Sequence, residues 1–478
     1  MTERIPKSIV IAAVVLGPLV LAYFAYARPW YFTSEAYLGG LVLLELVAAA
    51  VWMYRRVFFP LVIVTFLLAG VNLPVGGVWT SARWLVLGLG AAAGSAITLK
   101  ERRYHFGLFH LVALSAVLTA LVSAAVSRYT SVCLLKVLSL LLLFVYAGTG
   151  ARLAVTGREN RFFAGLLTGC EAFVGIVAAF QILGIEVMGN PNSLGAVMGV
   201  VGAPILLWGT LVSEELFTRR RRLLMCVISL YLTFQSHSRA GILAAFLSCG
   251  LLCLALRKYR LLAQGIGIIV FLVAAAAILQ PEAFFRTVSS LTSSVIYKDQ
   301  DSGRGVLASR QSVWQDSVET IRNHFWFGTG FGTAGREEGP TEDVGTFSSN
   351  SITATEHGSS YLAITEWVGI LGVLPFFVLE FLLLRKIIQT FVWVRRTGNA
   401  LHPAVPLAFV MLAGMLHAVL EDWLFAPGYY VCVFYWSMAF VFVDNVPSLA
   451  MADSTGAFFW RHGAMKQGVA EAAAAANR

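Results

Sequence analysis

Three residues in this chain carry chemistry that an apolar environment does not tolerate without cause. Arg239 lies in Gln235-Ser236-His237-Ser238-Arg239-Ala240-Gly241, a turn a few residues long between two apolar stretches. Arg310 heads Arg310-Gln311-Ser312-Val313-Trp314, and His357 closes a long polar segment just before the apolar run that begins near Ser360. Ionisable groups at the rim of a membrane span are costly and mark a site by default. An arginine is always charged and presents a planar fork that fits phosphate oxygens, so two of them can grip a diphosphate and stabilise the charge it gains on leaving. A histidine near neutral pH can take a proton from a hydroxyl. Together the three residue types suit attack of a sugar hydroxyl on a sugar carried by a lipid diphosphate. The arginines would then do the electrostatic work that a divalent cation does elsewhere.

The elements that must position these residues are membrane spans. Of 478 residues 58% are hydrophobic and 13% charged, far from the roughly 25% charged typical of a soluble domain. Apolar stretches long enough to cross a hydrocarbon core recur along the chain, and lipid leaves helices as the default for each. The expected fold is an all-α polytopic bundle of about 12–14 spans with one large, partly helical extracytoplasmic loop. The predicted spans are 8–27, 36–54, 57–74, 83–100, 106–126, 130–150, 162–184, 193–213, 222–237, 240–256, 261–280, 360–384, 404–420 and 428–443. This divides the chain into membrane helices over 1–280, a loop over 281–359, further membrane helices over 360–445 and a cytoplasmic tail over 446–478. The first stretch ends in Ala25-Tyr26-Ala27, which resembles a signal-peptidase site, but its apolar core is long for a signal peptide and reads as a retained anchor.

The net charge of +9 does not point to nucleic acid, because the basic residues sit in short loops after every second span. Roughly 24 of the Lys and Arg fall on the side that holds both termini, which the positive-inside rule makes the cytoplasm. Arg239, Arg310 and His357 then share the extracytoplasmic face. All six cysteines lie in apolar spans without metal-ligand spacing, so neither a disulfide framework nor a zinc site is expected.

The 281–359 loop is far longer than a connection needs and is expected to carry function. Within it, Val313, Trp314, Ser317, Val318 and Ile321 share one side of a helix that should dock on the bundle. The Gly328-Thr329-Gly330-Phe331-Gly332 run after it lacks the preceding strand and following Lys-Ser/Thr of a phosphate loop. Paired carboxylates with metal spacing are missing from the outward candidates; Asp299 and Asp301 are the nearest to such a pair.

These segments resemble the O-antigen ligase and O-antigen polymerase superfamily. Ser236 to Leu243 is similar to its Ser-x-Ser-Arg-x-Gly turn, Arg310 to Trp314 with Phe327 to Gly330 to its Arg-x3-Trp helix and Gly-x-Gly turn, and His357 through Ser360-Tyr361-Leu362 to Glu366, Gly369 and Gly372 to its His-Asn-Ser-Tyr-Leu segment. Gly189-Asn190-Pro191-Asn192-Ser193-Leu194-Gly195 resembles a further family stretch. The resemblance spans roughly residues 125 to 385, in family order. It implies a metal-independent, cofactor-free, inverting glycosyltransferase that moves a glycan from undecaprenyl diphosphate to a glycan, a lipid A core or a protein hydroxyl. Arg239 and Arg310 would face the diphosphate and His357 the acceptor hydroxyl. Asn190, Asn192, Ser238 and Arg304 are candidate substrate contacts, as are Trp314, Glu356, Ser359 and Tyr361. Gly358 follows His357 where the family has Asn, Ser or Gln, so Glu356 and Ser359 stand as alternatives to the histidine.

Two rivals come from other classes. A lipid-linked-glycan flippase or other transporter would use polar groups at the midplane, for which Lys136, Glu171, His417 and Glu421 are the candidates. A transferase using polyprenyl monophosphate sugars would need a carboxylate in the first outer loop, which offers only Glu35.

Overall fold

A computed structural model describes residues 53–71, 76–101, 106–188, 190–279, 308–333 and 357–447, apart from isolated positions. The expected spans 8–27 and 36–54, nearly whole, the 446–478 tail beyond residue 447, and Arg304, Glu356, Asp299 and Asp301 lie outside the described residues. Within them the chain is an all-α membrane protein of thirteen helices. These are α1 (Tyr54–Gly70), α2 (Gly76–Glu101), α3 (Leu108–Val126), α4 (Thr130–Val155), α5 (Glu159–Ile182), α6 (Pro191–Val212), α7 (Leu216–Gln235), α8 (Arg239–Ala255), α9 (Tyr259–Leu279), α10 (Ala308–Asn323), α11 (Ser360–Thr397), α12 (Ala404–Ala418) and α13 (Tyr430–Asn445). Seven of them are long and apolar enough to cross a membrane, and α8, α12 and α13 are shorter apolar helices.

The faces follow membrane rather than aqueous logic. On α3 the outward stripe is Leu111, Leu114, Leu118 and Val122, while Ala113, Ala116, Ala120 and Ala124 are buried. Small residues let α11 come close along that stripe. The opposite case is α13, where every residue from Tyr430 to Phe442 is buried. A helix apolar all round belongs at the centre, and α13 packs against α1, α4 and α12.

Two departures from the expected spans have local causes. The span expected to stop at 384 runs on to Thr397, because Arg385 and Lys386 mark where apolar character ends, not where the helix does; it stops at Gly398, whose φ of 67° caps it. The same helix breaks at Gly369 (φ 68°, ψ 179°), a conformation open essentially to glycine alone.

Candidate functional site

That break is where the glycine-rich turn finds its use. Interrupting α11 frees the carbonyls of Glu366 and Trp367 and the N–H groups of Ile370 and Leu371, which lipid cannot satisfy. The turn after α10 replaces the missing partners. Thr329 and Gly330 donate N–H to the Glu366 and Trp367 carbonyls, both at 3.0 Å, and Ile370 and Leu371 donate to Phe325 and Trp326 oxygens at 2.8 and 3.3 Å. A Cβ at Gly328 would stand 2.4 Å from the Trp367 carbonyl, and one at Gly369 2.4 Å from the Trp326 oxygen. The Gly-x-Gly run thus lets two backbones meet.

The turn fixes α10 in place. Arg310, Trp314, Ser317 and Ile321 form its inward stripe, with Arg310 and Ser317 buried. Val318, expected on that side, is exposed at 37%, since it lies one step around the helix from the stripe. Trp314 donates Nε1–H to the Gly358 carbonyl at 3.1 Å. Gly358 has φ 67°, and a Cβ there would crowd Trp314 and Arg310 at 3.1–3.3 Å. The glycine after His357 therefore serves to seat α10.

Serines position Arg239. In the turn between α7 and α8, Ser236 Oγ donates to the Thr233 carbonyl at 2.7 Å and accepts from the Ser238 N–H at 3.3 Å. Ser238 caps α8 by accepting from the Gly241 N–H at 3.2 Å, while His237 takes a left-handed φ of 52°. Gly241 lets α8 meet the start of α6 backbone to backbone, since its Cβ would stand 2.7 Å from the Gly195 oxygen. Asn190 caps α6, its Oδ1 accepting from the Asn192 N–H at 2.8 Å.

A residue pair completes the arrangement, of which the sequence reading named Glu421 only as a transporter candidate and passed over Asp422. The loop between α12 and α13 carries Glu421-Asp422. Ser360 clips it to the start of α11, donating N–H and Oγ–H to the Glu421 carbonyl at 3.0 and 2.6 Å and accepting from the Leu424 N–H at 3.0 Å. Arg310 donates from Nη2 to Glu421 Oε1 at 2.5 Å, and half-buried Arg239 is near enough to feel the charges of both Arg310 and Glu421. His357, 4% exposed, donates its backbone N–H to Asp422 Oδ2 at 2.9 Å and places Nδ1 3.3 Å from the same oxygen. Its Nε2 stands 3.4 Å from Glu366 Oε1, within ion-pair range but without hydrogen-bond alignment. The face of the ring arrangement is closed by Trp367, edge-on at 5.4 Å.

Burial alone would pull the histidine toward its neutral form, but the hydrogen bond to Asp422 and the negative charges of Asp422 and Glu366 outweigh it and push its pKa up to about 9. Burial alone would also raise Asp422, and His357 holds it below its ordinary value instead. The ring is therefore cationic at neutral pH, with Asp422 ionised beside it.

His357, Asp422 and Glu421 line a cavity of about 810 Å³ together with Asn190, Asn192, Lys136 and Arg83. Of the other expected contacts, Ser359 is buried, and Tyr361 donates its hydroxyl to the Met415 carbonyl at 3.2 Å. Trp314 and Ser238 likewise make the internal bonds given above. A sequence signal for Asp422 does exist: two adjacent carboxylates directly after an apolar span, with no basic residue beside them.

Of the groups named for a transporter, Lys136 and Glu421 line this cavity, while Glu171 and His417 are placed otherwise. Glu171 pairs with Arg221 and Arg222 at 2.8 and 3.0 Å, at the end of the bundle away from the cavity. His417 accepts from Trp423 Nε1–H at 2.7 Å.

No curated protein matches this chain. A family model described as O-Antigen ligase matches residues 224–377, the stretch from α7 to just past the break in α11 that holds Arg239, Arg310 and His357; Arg83, Lys136, Glu421 and Asp422 lie outside it. The match over these residues supports the O-antigen ligase and polymerase superfamily, whose members in general use lipid-linked glycan donors and glycan acceptors.

Proposed function

We propose that this protein transfers a glycan from undecaprenyl diphosphate to an acceptor hydroxyl with inversion, at the extracytoplasmic face of a bacterial inner membrane. The observation that carries the reading is His357, held on its Nδ1 side by Asp422 and lacking an aligned hydrogen-bond partner on Nε2 among the described residues, at the edge of a polar cavity whose lining Glu421 is bonded by Arg310 and sensed by Arg239. Tyr430 lines both this cavity and a mostly apolar groove of about 470 Å³ that runs along α1, α5 and α6. A polar chamber joined to an apolar groove suits a donor whose head is a diphosphate sugar and whose tail is an isoprenoid.

In this reading Asp422 fixes the ring and its tautomer, as an orienting carboxylate does for a catalytic histidine. Nε2 turns from Glu366 to the acceptor hydroxyl and takes its proton. The hydroxyl oxygen bonds to the anomeric carbon from the side opposite the diphosphate, and the bond to the diphosphate breaks with its electron pair. Arg239 and Arg310 stabilise the charge that the diphosphate gains, Arg310 exchanging part of its bond to Glu421 for phosphate oxygen. Because the arginines carry this charge, transfer should survive chelation by EDTA.

The test is the purified protein in lipid nanodiscs with an undecaprenyl-diphosphate oligosaccharide and, separately, a lipid A core, a glycan chain and a serine peptide. Release of undecaprenyl diphosphate with a new inverted linkage to one acceptor supports the proposal. Donor movement across the bilayer without a new linkage would replace it with transport. The face is tested by Cys at exposed His237, which should react with an impermeant maleimide from outside the cell.

A further inference from the structure

Two cations of the cavity have no part in the transfer chemistry. Arg83, near the start of α2, and Lys136, near the start of α4, both line it beside Asn190 and Asn192. Arg83 donates from Nη1 to the Gly428 carbonyl at 2.8 Å and lies over the rings of Trp84 and Phe66 at 5.2 and 5.7 Å. Its Nε is buried without a hydrogen-bond partner among the described residues. Lys136 donates Nζ–H to the Gly332 carbonyl. A carbonyl orients a cation but does not neutralise it.

The other charges on this cavity wall are matched, Glu421 by Arg310 and Asp422 by His357. Arg83 and Lys136 thus leave a positive surplus with no carboxylate facing it among the described residues. Partly buried cations without a counter-ion are costly and are retained where a ligand supplies the missing charge. They also stand on α2 and α4, apart from the α8 and α10 arginines assigned to the diphosphate.

We propose that Arg83 and Lys136 form a subsite for a carboxylate carried by the saccharide, so that the cavity selects acidic glycans. Arg83 has the planar fork for bidentate contact with a carboxylate. Lys136 adds a point charge, and the Asn190 and Asn192 amides offer donors and acceptors to sugar hydroxyls. The subsite rests on the glycan-transfer reading.

The experiment measures binding of cellobiuronic acid, neutral cellobiose and inorganic pyrophosphate to the full chain in nanodiscs by saturation-transfer NMR. Wild type should bind the acidic disaccharide about tenfold more tightly than the neutral one, the scale of one charge-assisted contact. Arg83→Gln with Lys136→Gln should erase that preference and leave pyrophosphate binding unchanged, which also reports an intact fold. Lys136→Arg, which keeps the charge, should retain the preference. Equal affinity for the two disaccharides in wild type, or a preference that survives the double substitution, overturns the subsite. So does loss of pyrophosphate binding in the double variant, which would give these cations to the diphosphate. Pyrophosphate binding that persists while the acid preference fails strikes the subsite alone; absence of all three interactions in wild type strikes the transfer reading beneath it.

Discussion

At the end of the bundle that carries the basic loops, Arg152 meets Asp444, Arg55 meets Glu101, and Arg221 and Arg222 share Glu171. At the opposite end Arg83, Lys136, Arg239, Arg310 and His357 gather around Glu366, Glu421 and Asp422. The first region ties helices together through these ion pairs, two arginines sharing the Glu171 carboxylate. The second is left positive, with two of its cations resting on carbonyl oxygens. We read the surplus at the cavity as the charge that an anionic substrate would meet, and the ion pairs at the other end as contacts that hold the fold.

The contrast can be broken most sharply at His357. His357→Ala should lower turnover by roughly 100- to 10,000-fold, as loss of a general base does, while affinity for the diphosphate donor stays near that of wild type. Next is Arg310→Lys, which keeps charge but loses the fork. A fall in kcat of about 100-fold is expected, larger than any change in melting temperature would explain. Arg152→Gln is the counterpart at the other end: it removes charged hydrogen bonds of a buried arginine but leaves Asp444 at an exposed position, a cost of roughly 1.5 to 3 kcal/mol, seen as a lower melting temperature with kcat unchanged in the protein that remains folded. The smallest effect belongs to Trp314→Phe, which deletes the bond to the Gly358 carbonyl. It should loosen α10 by about 1 kcal/mol, read as faster proteolysis of the 308–333 segment with a modest loss of rate.

Much of the bundle was legible because its signals are local. Basic loops and apolar stretches gave α3 to nearly the right residues, and Ser238, Arg239 and Gly241 announced a capped turn. The site was legible only in part, since its partners are distant in sequence. His357 and Asp422 are separated by 65 positions, and nothing near either one says that they meet. Gly358 and Gly369 looked like interruptions of a motif; each answers a tertiary demand, the seating of Trp314 and the break in α11 that the Gly328–Gly330 turn repairs. Arg83 was hidden for a related reason, because an arginine at the start of a span reads as a snorkelling residue until the cavity behind it is seen.

The central claim, that His357 accepts the proton while held between two carboxylates, is tested most directly by the pH dependence of kcat/KM. With a pKa pushed up to about 9, only about one ring in a hundred is neutral at pH 7. A base that must first lose its proton then gives a rate that climbs about tenfold per pH unit and levels near pH 9. Glu366→Gln, by removing one carboxylate that raises the ring, should move that plateau to lower pH. A profile that is flat from pH 6 to 9, or that falls as His357 loses its charge, would contradict the account and make the histidine a cationic clamp.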